Sequence, residues 1–283
     1  MVVPFYNAEK HIEECINALL AQSYRWDRYE IIMVDNNSTD RSTAIVGRYP
    51  RINLLSEQRQ GAYAARNRGV GASRGAIIVF TDADRVACSE WLQEIASAMG
   101  APEVRLIQGG RLYAVKSPAL SMLESYDSER AAFTFSRNTR EIYYGYTNNM
   151  AVRREVFDRC GPFLEVARGA DSLFVHRVIA EYSCENVRYL RNARIRHLEI
   201  TTVRQWMRKR FIYGRSFQRN YNRRKGSFRP LSAAESSAIF KGTIRRSKHS
   251  LLYTVCLTGL LWIGSLVYIL GCYSGRRTTG MHN

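Results

Sequence analysis

Two aspartates, Asp82 and Asp84, form the clearest chemical signal in the sequence. They directly follow residues 76–80, an apolar run that predicts a buried strand. Carboxylate oxygens are ligands that Mg²⁺ and Mn²⁺ favour, and these ions are often held by one or two carboxylates together with substrate phosphates. Two nearby aspartates are also typical of a capped turn. Their position between a strand and a helix favours a metal site that faces a phosphorylated substrate.

Polar residues also follow two other predicted strands. Residues 1–5 lead into Tyr6 and Asn7, and residues 30–34 lead into Asp35 and the polar residues after it. Because ligands of open α/β sheets bind outside the carboxyl ends of the strands, these polar residues predict one shared site. The sequence has neither GxGxxG nor GxxxxGK[ST], so it predicts neither a dinucleotide-binding motif nor a P-loop.

The elements that position these residues alternate along the chain. Short apolar strands separated by amphipathic helices are typical of an α/β fold with a parallel sheet. The first strand is short for a buried parallel strand, so we expect the chain start to lie inside it. Ser89 is the predicted N-cap of the fourth helix. The predicted strands are residues 1–5, 30–34, 52–55 and 76–80, and the predicted helices are 9–22, 39–49, 62–73 and 89–99.

Several segments in this order resemble the inverting family 2 glycosyltransferases of GT-A fold over residues 1–220. The segments are VVPFYNAEKHIEECINALLAQSY, EIIMVDNNSTDRSTAIV, GAYAARNRGVGASRGAIIVFTDADR, and YTNNMAVRREVFDRCGPFLE followed by GADSLF. The resemblance implies a Rossmann-like mixed, mostly parallel sheet flanked by helices. It implies transfer of a sugar from a UDP- or GDP-linked donor to a hydroxyl of a lipid, lipid-linked glycan or polysaccharide, assisted by Mn²⁺ or Mg²⁺.

The resemblance also implies roles for individual residues. The implied nucleotide-binding residues are Pro4, Tyr6, Glu9, Asp35, Gly61, Arg66, Asn67 and Asp82. The implied metal ligands are Asp84 and Asp82, with His197 as a further candidate. The implied sugar and acceptor contacts are Gln108, Gly109, Asn148 and Asn149, which also fit a turn and a helix start.

Asp171 is the implied general base. The family usually has Glu-Asp at this point, whereas this chain has Ala170 followed by Asp171. A carboxylate within hydrogen-bond reach can take the proton of an acceptor hydroxyl as it attacks. As an isolated residue, Asp171 also fits the N-cap of a predicted helix over residues 172–180.

Positive charge is concentrated at the C-terminal end. The net charge is +17, from 42 Lys and Arg against 25 Asp and Glu. Residues 197–283 hold 16 basic and 2 acidic residues, a net of +14. Residues 204–225 hold nine basic residues, interleaved with aromatic ones. This segregation favours an anionic membrane surface over nucleic acid as the partner. The interleaved aromatic residues are Trp206, Phe211, Tyr213, Phe217 and Tyr221.

Residues 251–272 are 22 residues without a charge, enough to span a bilayer as a helix. Four basic residues precede this run and two follow it, which favours a cytoplasmic location for the preceding side. The alternative is a buried core helix. The basic residues are Lys241, Arg245, Arg246 and Lys248 before it, and Arg276 and Arg277 after it.

The predicted organisation is therefore an enzyme on the cytoplasmic face of the cell membrane, anchored by a single pass. We predict a catalytic domain over 1–200, with a nucleotide-sugar half at 1–105 and an acceptor half at 106–200. A basic membrane-proximal segment at 201–250, a transmembrane helix at 251–272 and a tail at 273–283 follow.

Two other functions remain open. A nucleotidyltransferase would share the sheet and the metal but should carry a Gly, Arg and Lys-rich loop after the first strand. A noncatalytic binder of membranes or nucleic acid would explain the basic end but not the acidic strand ends. The six scattered cysteines form no CxxC pair, so we expect reduced and mostly buried thiols.

Overall fold

A computed structural model describes residues 1–115, 117–219, 228–247 and 250–279. The chain divides into two compact units. The first comprises Met1–Leu112 and Tyr143–Leu198, and the second comprises Tyr113–Ile142 and Glu199–Asn283. Part of the segment predicted as the acceptor half therefore groups with the C-terminal helices. The functional roles of residues 1–105 and 106–200 stay predictions.

The first unit is built on one eight-stranded sheet with the order β3-β2-β1-β4-β7-β6-β8-β5. Strands β1 to β4 are parallel, while β7 is antiparallel to both β4 and β6. Strand β6 therefore runs in the direction of β1 to β4, so the sheet is mixed and mostly parallel, as predicted. The strands are β1 Val2–Phe5, β2 Ile31–Asp35, β3 Ile52–Ser56, β4 Ile77–Thr81, β5 Arg85–Ala87, β6 Leu106–Tyr113, β7 Asn149–Arg153 and β8 Val187–His197.

The central strands are apolar because helices cover both faces of the sheet. Ile32, Met33 and Phe80 are fully buried. Gly69 lets one helix approach β1 closely, since a Cβ there would collide with the side chain of Val2. The helices are α1 Ile12–Leu20, α2 Ser42–Val46, α3 Ala62–Ala72, α4 Trp91–Ala98, α5 Pro118–Phe135, α6 Arg154–Cys160, α7 Ala170–Glu181, α8 Val203–Arg219, α9 Ala233–Ser247 and α10 Leu251–Thr279.

Four helix starts differ from the predictions, and one of them is that of α7, which begins at Ala170 instead of residue 172. Helices α1 and α2 begin three residues later, because Asn7 and Asp40 accept hydrogen bonds from the backbone of Thr39 and Ser42 in the preceding turns. Ser89 is not the N-cap of α4. Glu90 occupies that position, and the Ser89 carbonyl instead accepts a hydrogen bond from the Ser23 N–H at 2.9 Å.

The second unit consists of α5, α8, α9 and α10. Leu120 and Leu123 of α5 form a buried cluster with Trp206 of α8. Arg246 of α9 forms a 2.7 Å ion pair with Glu129 of α5. Among the described residues, one helix segment, Leu251–Gly275, is long and apolar enough to cross a membrane. Residues 220–227 and 248–249, which include the predicted basic and aromatic residues Tyr221, Lys225 and Lys248, lie outside the described residues.

Candidate functional site

Asp82 and Asp84 lie in a turn between β4 and β5. The Asp82 carbonyl accepts a hydrogen bond from the Arg85 N–H at 3.1 Å, which closes the turn. The buried thiol of Cys15 lies beneath it and donates to the same carbonyl at 3.6 Å. Burial, and then the negative charges of Asp84 and Asp82, raise the pKa of Cys15. The turn thus presents two carboxylates above a neutral, buried thiol.

Strand pairing brings Asp84 and His197 together. Arg85 of β5 pairs in register with His197 of β8. His197 Nδ1 lies 3.6 Å from Asp84 Oδ2, and Arg85 Nε lies 3.4 Å from Asp84 Oδ1. A carboxylate and an imidazole are both ligands that Mn²⁺ accepts, so the donor set fits the implied metal.

Asp82 is paired differently from Asp84. Arg66 Nη2 donates to Asp82 Oδ1 at 2.5 Å, and Arg66 is only 5% exposed. Both residues were predicted to face the nucleotide, and they lie in direct contact. The Arg66–Asp82 pair, at 2.5 Å, is closer than the Arg85–Asp84 pair, at 3.4 Å, and only Asp84 has an imidazole beside it. Asp84 and His197 are therefore the better placed pair for a metal ion.

Helix α3 also contacts the start of α7. Tyr63 Oη accepts hydrogen bonds from the backbone N–H groups of Gly169 at 3.2 Å and Asp171 at 3.5 Å. Burial, and next the charge of Asp171, raise the pKa of Tyr63. The Arg66 guanidinium lies 5.3 Å from the Tyr63 ring centroid. Tyr63 and Arg66 are three residues apart, so one face of α3 touches both Asp82 and Asp171.

Asp171 lies in the first turn of α7 and is half-buried. The N-cap is Gly169, whose φ of +86° favours glycine, so Asp171 is inside the helix instead of capping it. Its Oδ1 accepts a hydrogen bond from the Ser172 N–H at 2.9 Å. Ala170 is fully buried and offers no polar group to this site.

Gly145 fixes the backbone of Asp171 from the other side. Its N–H donates to Ser172 Oγ at 3.1 Å. A Cβ at this position would lie 2.5 Å from the Asp171 carbonyl oxygen and 2.9 Å from Val175 Cγ2. Sequence reasoning did not identify Gly145, because nothing in its neighbours in the chain marks a close approach to α7.

Gly145→Ala should therefore displace the first turn of α7. We expect a loss of unfolding free energy of about 1–3 kcal/mol, the usual result of overpacking a tight contact. Chemical denaturation of both variants measures it. Gly71→Ala on α3 is the matched control, because a Cβ there meets nothing within 4 Å. Equal stability of the Gly145 and Gly71 variants would contradict this packing.

Hydrogen bonds order the turns that follow β1 and β2 and connect one turn to the other. Asp35 Oδ1 accepts from the Ser38 N–H at 3.0 Å, and Glu9 Oε2 accepts from the Arg41 N–H at 3.2 Å. Tyr6 is 53% exposed, whereas Pro4 is buried in β1 opposite Val34. Tyr6 is thus available to a ligand, and Pro4 fixes the strand that carries it.

Asn36 organises the loop before α3, a role that sequence reasoning did not assign. Its Nδ2 donates to the carbonyls of Glu57 at 2.9 Å and Arg59 at 2.8 Å. Its Oδ1 accepts from the Gly61 N–H at 2.7 Å. Gly61 has a φ of +141°, a value that side-chain-bearing residues rarely adopt. Buried Asn36 therefore fixes the backbone where α3 begins, and this positions Tyr63 and Arg66 on that helix.

Arg59 and Asn67 tie this loop to the chain around Phe163. Arg59 Nη1 donates to Glu165 Oε1 at 2.9 Å. The Asn67 carboxamide donates to the Phe163 carbonyl at 2.9 Å and accepts from its N–H at 3.0 Å. Asn67 Nδ2 also lies 3.3 Å from Glu165 Oε1, so the observed contacts of Asn67 are with other protein groups, and its predicted nucleotide contact stays a prediction.

Glu57→Gln should lower stability in a pH-dependent way. Hydrogen bonds from Arg59 lower the pKa of Glu57 from 4.5 to about 2. A depressed pKa means that the stabilisation is complete above about pH 4.5 and is lost as the pH falls towards 2. Because Arg59 is mostly exposed, we expect a loss of about 1 kcal/mol at pH 7. Urea unfolding at pH 7 and pH 3 measures it. A difference that stays constant or grows at acid pH would contradict the pairing.

The predicted sugar-contacting residues lie mostly inside the sheet. Gln108, Gly109 and Asn149 are buried in β6 and β7 instead of a turn and a helix start. Asn149 Nδ2 donates to two carbonyls, Gly110 at 2.7 Å and Ala193 at 2.9 Å, and its Oδ1 accepts from the Trp91 Nε1–H at 2.9 Å. These bonds hold strands together. Asn148 is less buried, and its Oδ1 has no hydrogen-bond partner among the described residues. That oxygen is itself buried, and the contact of Asn148 with a sugar stays a prediction.

A family model and several curated proteins match part of this chain. The model of glycosyl transferase family 2 matches residues 1–164. Glycosyltransferase AglE of Haloferax volcanii is 33% identical over 169 residues, which is 58% of this chain and 55% of that protein. EpsJ of Bacillus subtilis, named as an uncharacterized glycosyltransferase, is 29% identical over 171 residues, 56% of this chain and 48% of its own length. The chain spans about half the length of these curated relatives.

Solved structures support the fold. Mannosyltransferase PcManGT from Pyrobaculum calidifontis, in complex with GDP-Man and Mn²⁺, superposes with a TM-score of 0.67 at 20% identity, covering 97% of this chain and 85% of that chain. Staphylococcus aureus TarS 1–349, in complex with UDP, gives 0.56 at 18% identity, covering 98% and 90%. The family model covers more than half of the chain and the solved structures share its fold, so this chain belongs to glycosyl transferase family 2 and has a GT-A fold.

Proposed function

We propose that the chain transfers a sugar, with inversion, from a nucleotide-diphospho-sugar to a hydroxyl of a lipid, lipid-linked glycan or polysaccharide. One observation carries the proposal. A single face of α3 holds the carboxylate of Asp82 through Arg66 and the backbone of Asp171 through Tyr63. The same helix thus holds the turn that carries Asp84 and the helix start that carries Asp171, the candidate metal ligand and the candidate base. The family match favours this reaction over a nucleotidyltransferase.

The donor carries guanosine or uridine diphosphate in this proposal. PcManGT is described with GDP-Man, and TarS with UDP. Exposed Tyr6 is available to stack on a base, and Asp35 ends the neighbouring strand β2. Buried Arg66 supplies fixed positive charge beside Asp82, where a diphosphate would approach.

Asp171 acts as the general base. The acceptor hydroxyl loses its proton to the Asp171 carboxylate as its oxygen attacks the anomeric carbon from the face opposite the nucleotide. The bond to the diphosphate breaks in the same displacement, so no protein nucleophile is needed. The hydrogen bonds from Gly169 and Asp171 to Tyr63 keep this first turn of α7 in place.

Asp84 and His197 would hold a divalent metal, Mn²⁺ or Mg²⁺. When bound, such an ion stabilises the negative charge of a leaving diphosphate. Arg85 lies beside Asp84 and is itself buried, so it orients that carboxylate and balances its charge.

The membrane is a partner in this proposal. Helix α10 attaches the chain to an anionic leaflet, with the catalytic unit on the cytoplasmic side. The basic residues before α10, Lys241, Arg245 and Arg246, support that orientation. A single pass across the bilayer is one mode of attachment that the length of α10 allows.

The test is a transfer assay with the full chain in lipid vesicles. UDP- and GDP-linked sugars are offered with a membrane lipid extract, and NMR determines the anomeric configuration of the product. We expect one donor to give a product of configuration opposite to the donor. A product of retained configuration, or nucleotide release without sugar transfer, would contradict the proposal.

A further inference from the structure

Helix α10 has one covered face and one bare face. Leu257, Gly264 and Gly271 are buried and lie on the covered face. We call the bare face the apolar stripe. It extends along the helix and consists of Leu251, Leu252, Val255, Trp262, Ile263, Leu266, Ile269, Leu270 and Tyr273, each between 48% and 81% exposed. These positions recur at the 3.6-residue period, so they form one continuous surface.

Helix α8 covers the other face at very short range. A Cβ at Gly264 would lie 2.6 Å from the Trp206 ring, and one at Gly271 would collide with the Phe211 backbone. Residue numbers rise together in these two contacts, so the helices run in the same direction. Helix α8 therefore lies alongside the second half of α10.

Helix α8 is strongly basic. It has six basic residues and no acidic one: Arg204, Arg208, Lys209, Arg210, Arg215 and Arg219. If α10 crossed a bilayer, α8 would carry several of these charges into the hydrocarbon core, where each charged side chain is strongly disfavoured. The length of α10 fits a helix that spans the bilayer and also one that lies in its plane. The charge of α8 does not fit the spanning orientation.

We propose that α8 and α10 form an amphipathic pair that lies in the plane of one leaflet. The apolar stripe sinks into the boundary between headgroups and acyl chains, and α8 binds anionic headgroups. Amphipathic helices of this kind lie about 5–10 Å deep, with basic residues towards the headgroups. This inference concerns the orientation of the attached helix, and it stands whether or not the chain transfers sugar.

Spin labels test the orientation. The three variants Leu252→Cys, Ile263→Cys and Leu270→Cys place labels along one line of the stripe, in a full-length background in which the four cysteines that are not buried, Cys88, Cys160, Cys256 and Cys272, are replaced by Ser. Power-saturation EPR in vesicles with anionic lipid measures the depth of each label. We expect three equal, shallow depths. A deep label at 263 between two shallow ones would overturn the proposal in favour of spanning. Dipolar broadening between copies, without lipid contact, would overturn it in favour of a second chain on the stripe.

Charge substitutions test the headgroup contact. Arg204 and Arg208 are exposed on α8. Each basic residue near an anionic surface contributes about a fivefold gain in binding, so Arg204→Gln with Arg208→Gln should weaken vesicle binding about 25-fold. Arg28→Gln with Arg48→Gln, at exposed positions of the first unit, is the control and should change binding less than twofold. Equal effects of both pairs would overturn the assignment of α8 as the headgroup-binding helix.

Discussion

Asp171→Asn is expected to lower the rate of sugar transfer by about 10²–10⁴-fold, the usual contribution of a general base. The amide keeps the size of the side chain and can still accept the hydrogen bond from the Ser172 N–H, so the first turn of α7 should survive. It cannot take a proton from an acceptor hydroxyl at neutral pH. Single-turnover transfer rates and donor titration measure the two effects separately, and we expect donor affinity to change less than about threefold.

Asp158→Asn is the matched control for this substitution. Asp158 is exposed on α6, in the same unit as Asp171, and should tolerate the amide without loss of rate. Normal transfer by Asp171→Asn would remove Asp171 as the base. Equal losses of transfer and of donor affinity would instead give it a role in donor binding.

Asp84→Ala is expected to lower Mn²⁺-dependent transfer by about 10²–10³-fold, the typical effect of removing one group that stabilises developing charge. It removes the carboxylate next to His197, the second residue that we assign to the metal. Titration of Mn²⁺ against the transfer rate, and direct measurement of Mn²⁺ affinity, check the prediction. We expect the affinity for Mn²⁺ to fall together with the rate.

Asp84 is a cleaner probe than Asp82. Both substitutions take a carboxylate away from a buried guanidinium, but Arg66 Nη2 lies 2.5 Å from Asp82 whereas Arg85 Nε lies 3.4 Å from Asp84. Asp82→Ala therefore breaks the closer buried pair and is the more destabilising change. Asp158→Ala serves as the control for a surface carboxylate. Unchanged Mn²⁺ affinity and rate in Asp84→Ala would place the metal elsewhere.

The sheet was predictable because its strands are short, apolar and bounded by polar turns. The end of β4 just before Asp82 and the end of β2 at Asp35 follow from that pattern alone. Helix starts were less predictable, since Asn7 and Asp40 compete with helix formation through bonds to nearby backbone. Such local competition depends on tertiary contacts that one strand or helix does not reveal.

The charged side chains of the candidate site could be predicted from the sequence. The residues that act through backbone geometry could not. Asp84 was predicted from residue type and motif, Asp171 was predicted from the family resemblance, and both roles stay predictions. Tyr63 and Gly145 were not predicted, because they act through backbone N–H groups and a close approach. Asn149 has a residue type common at binding sites, but its amide is used inside the sheet.

Nucleotide binding by the full chain tests the central claim most directly. The thermal transition is measured with UDP, GDP and CDP, each with and without Mn²⁺. At 100 times its Kd, a ligand adds about 2.7 kcal/mol of stability, which corresponds to a shift of about 5–10 °C for a unit of this size. We predict such a shift with UDP or GDP that requires Mn²⁺ and is absent in Asp84→Ala. A shift that is independent of the metal, or no shift with any nucleotide, would contradict the account.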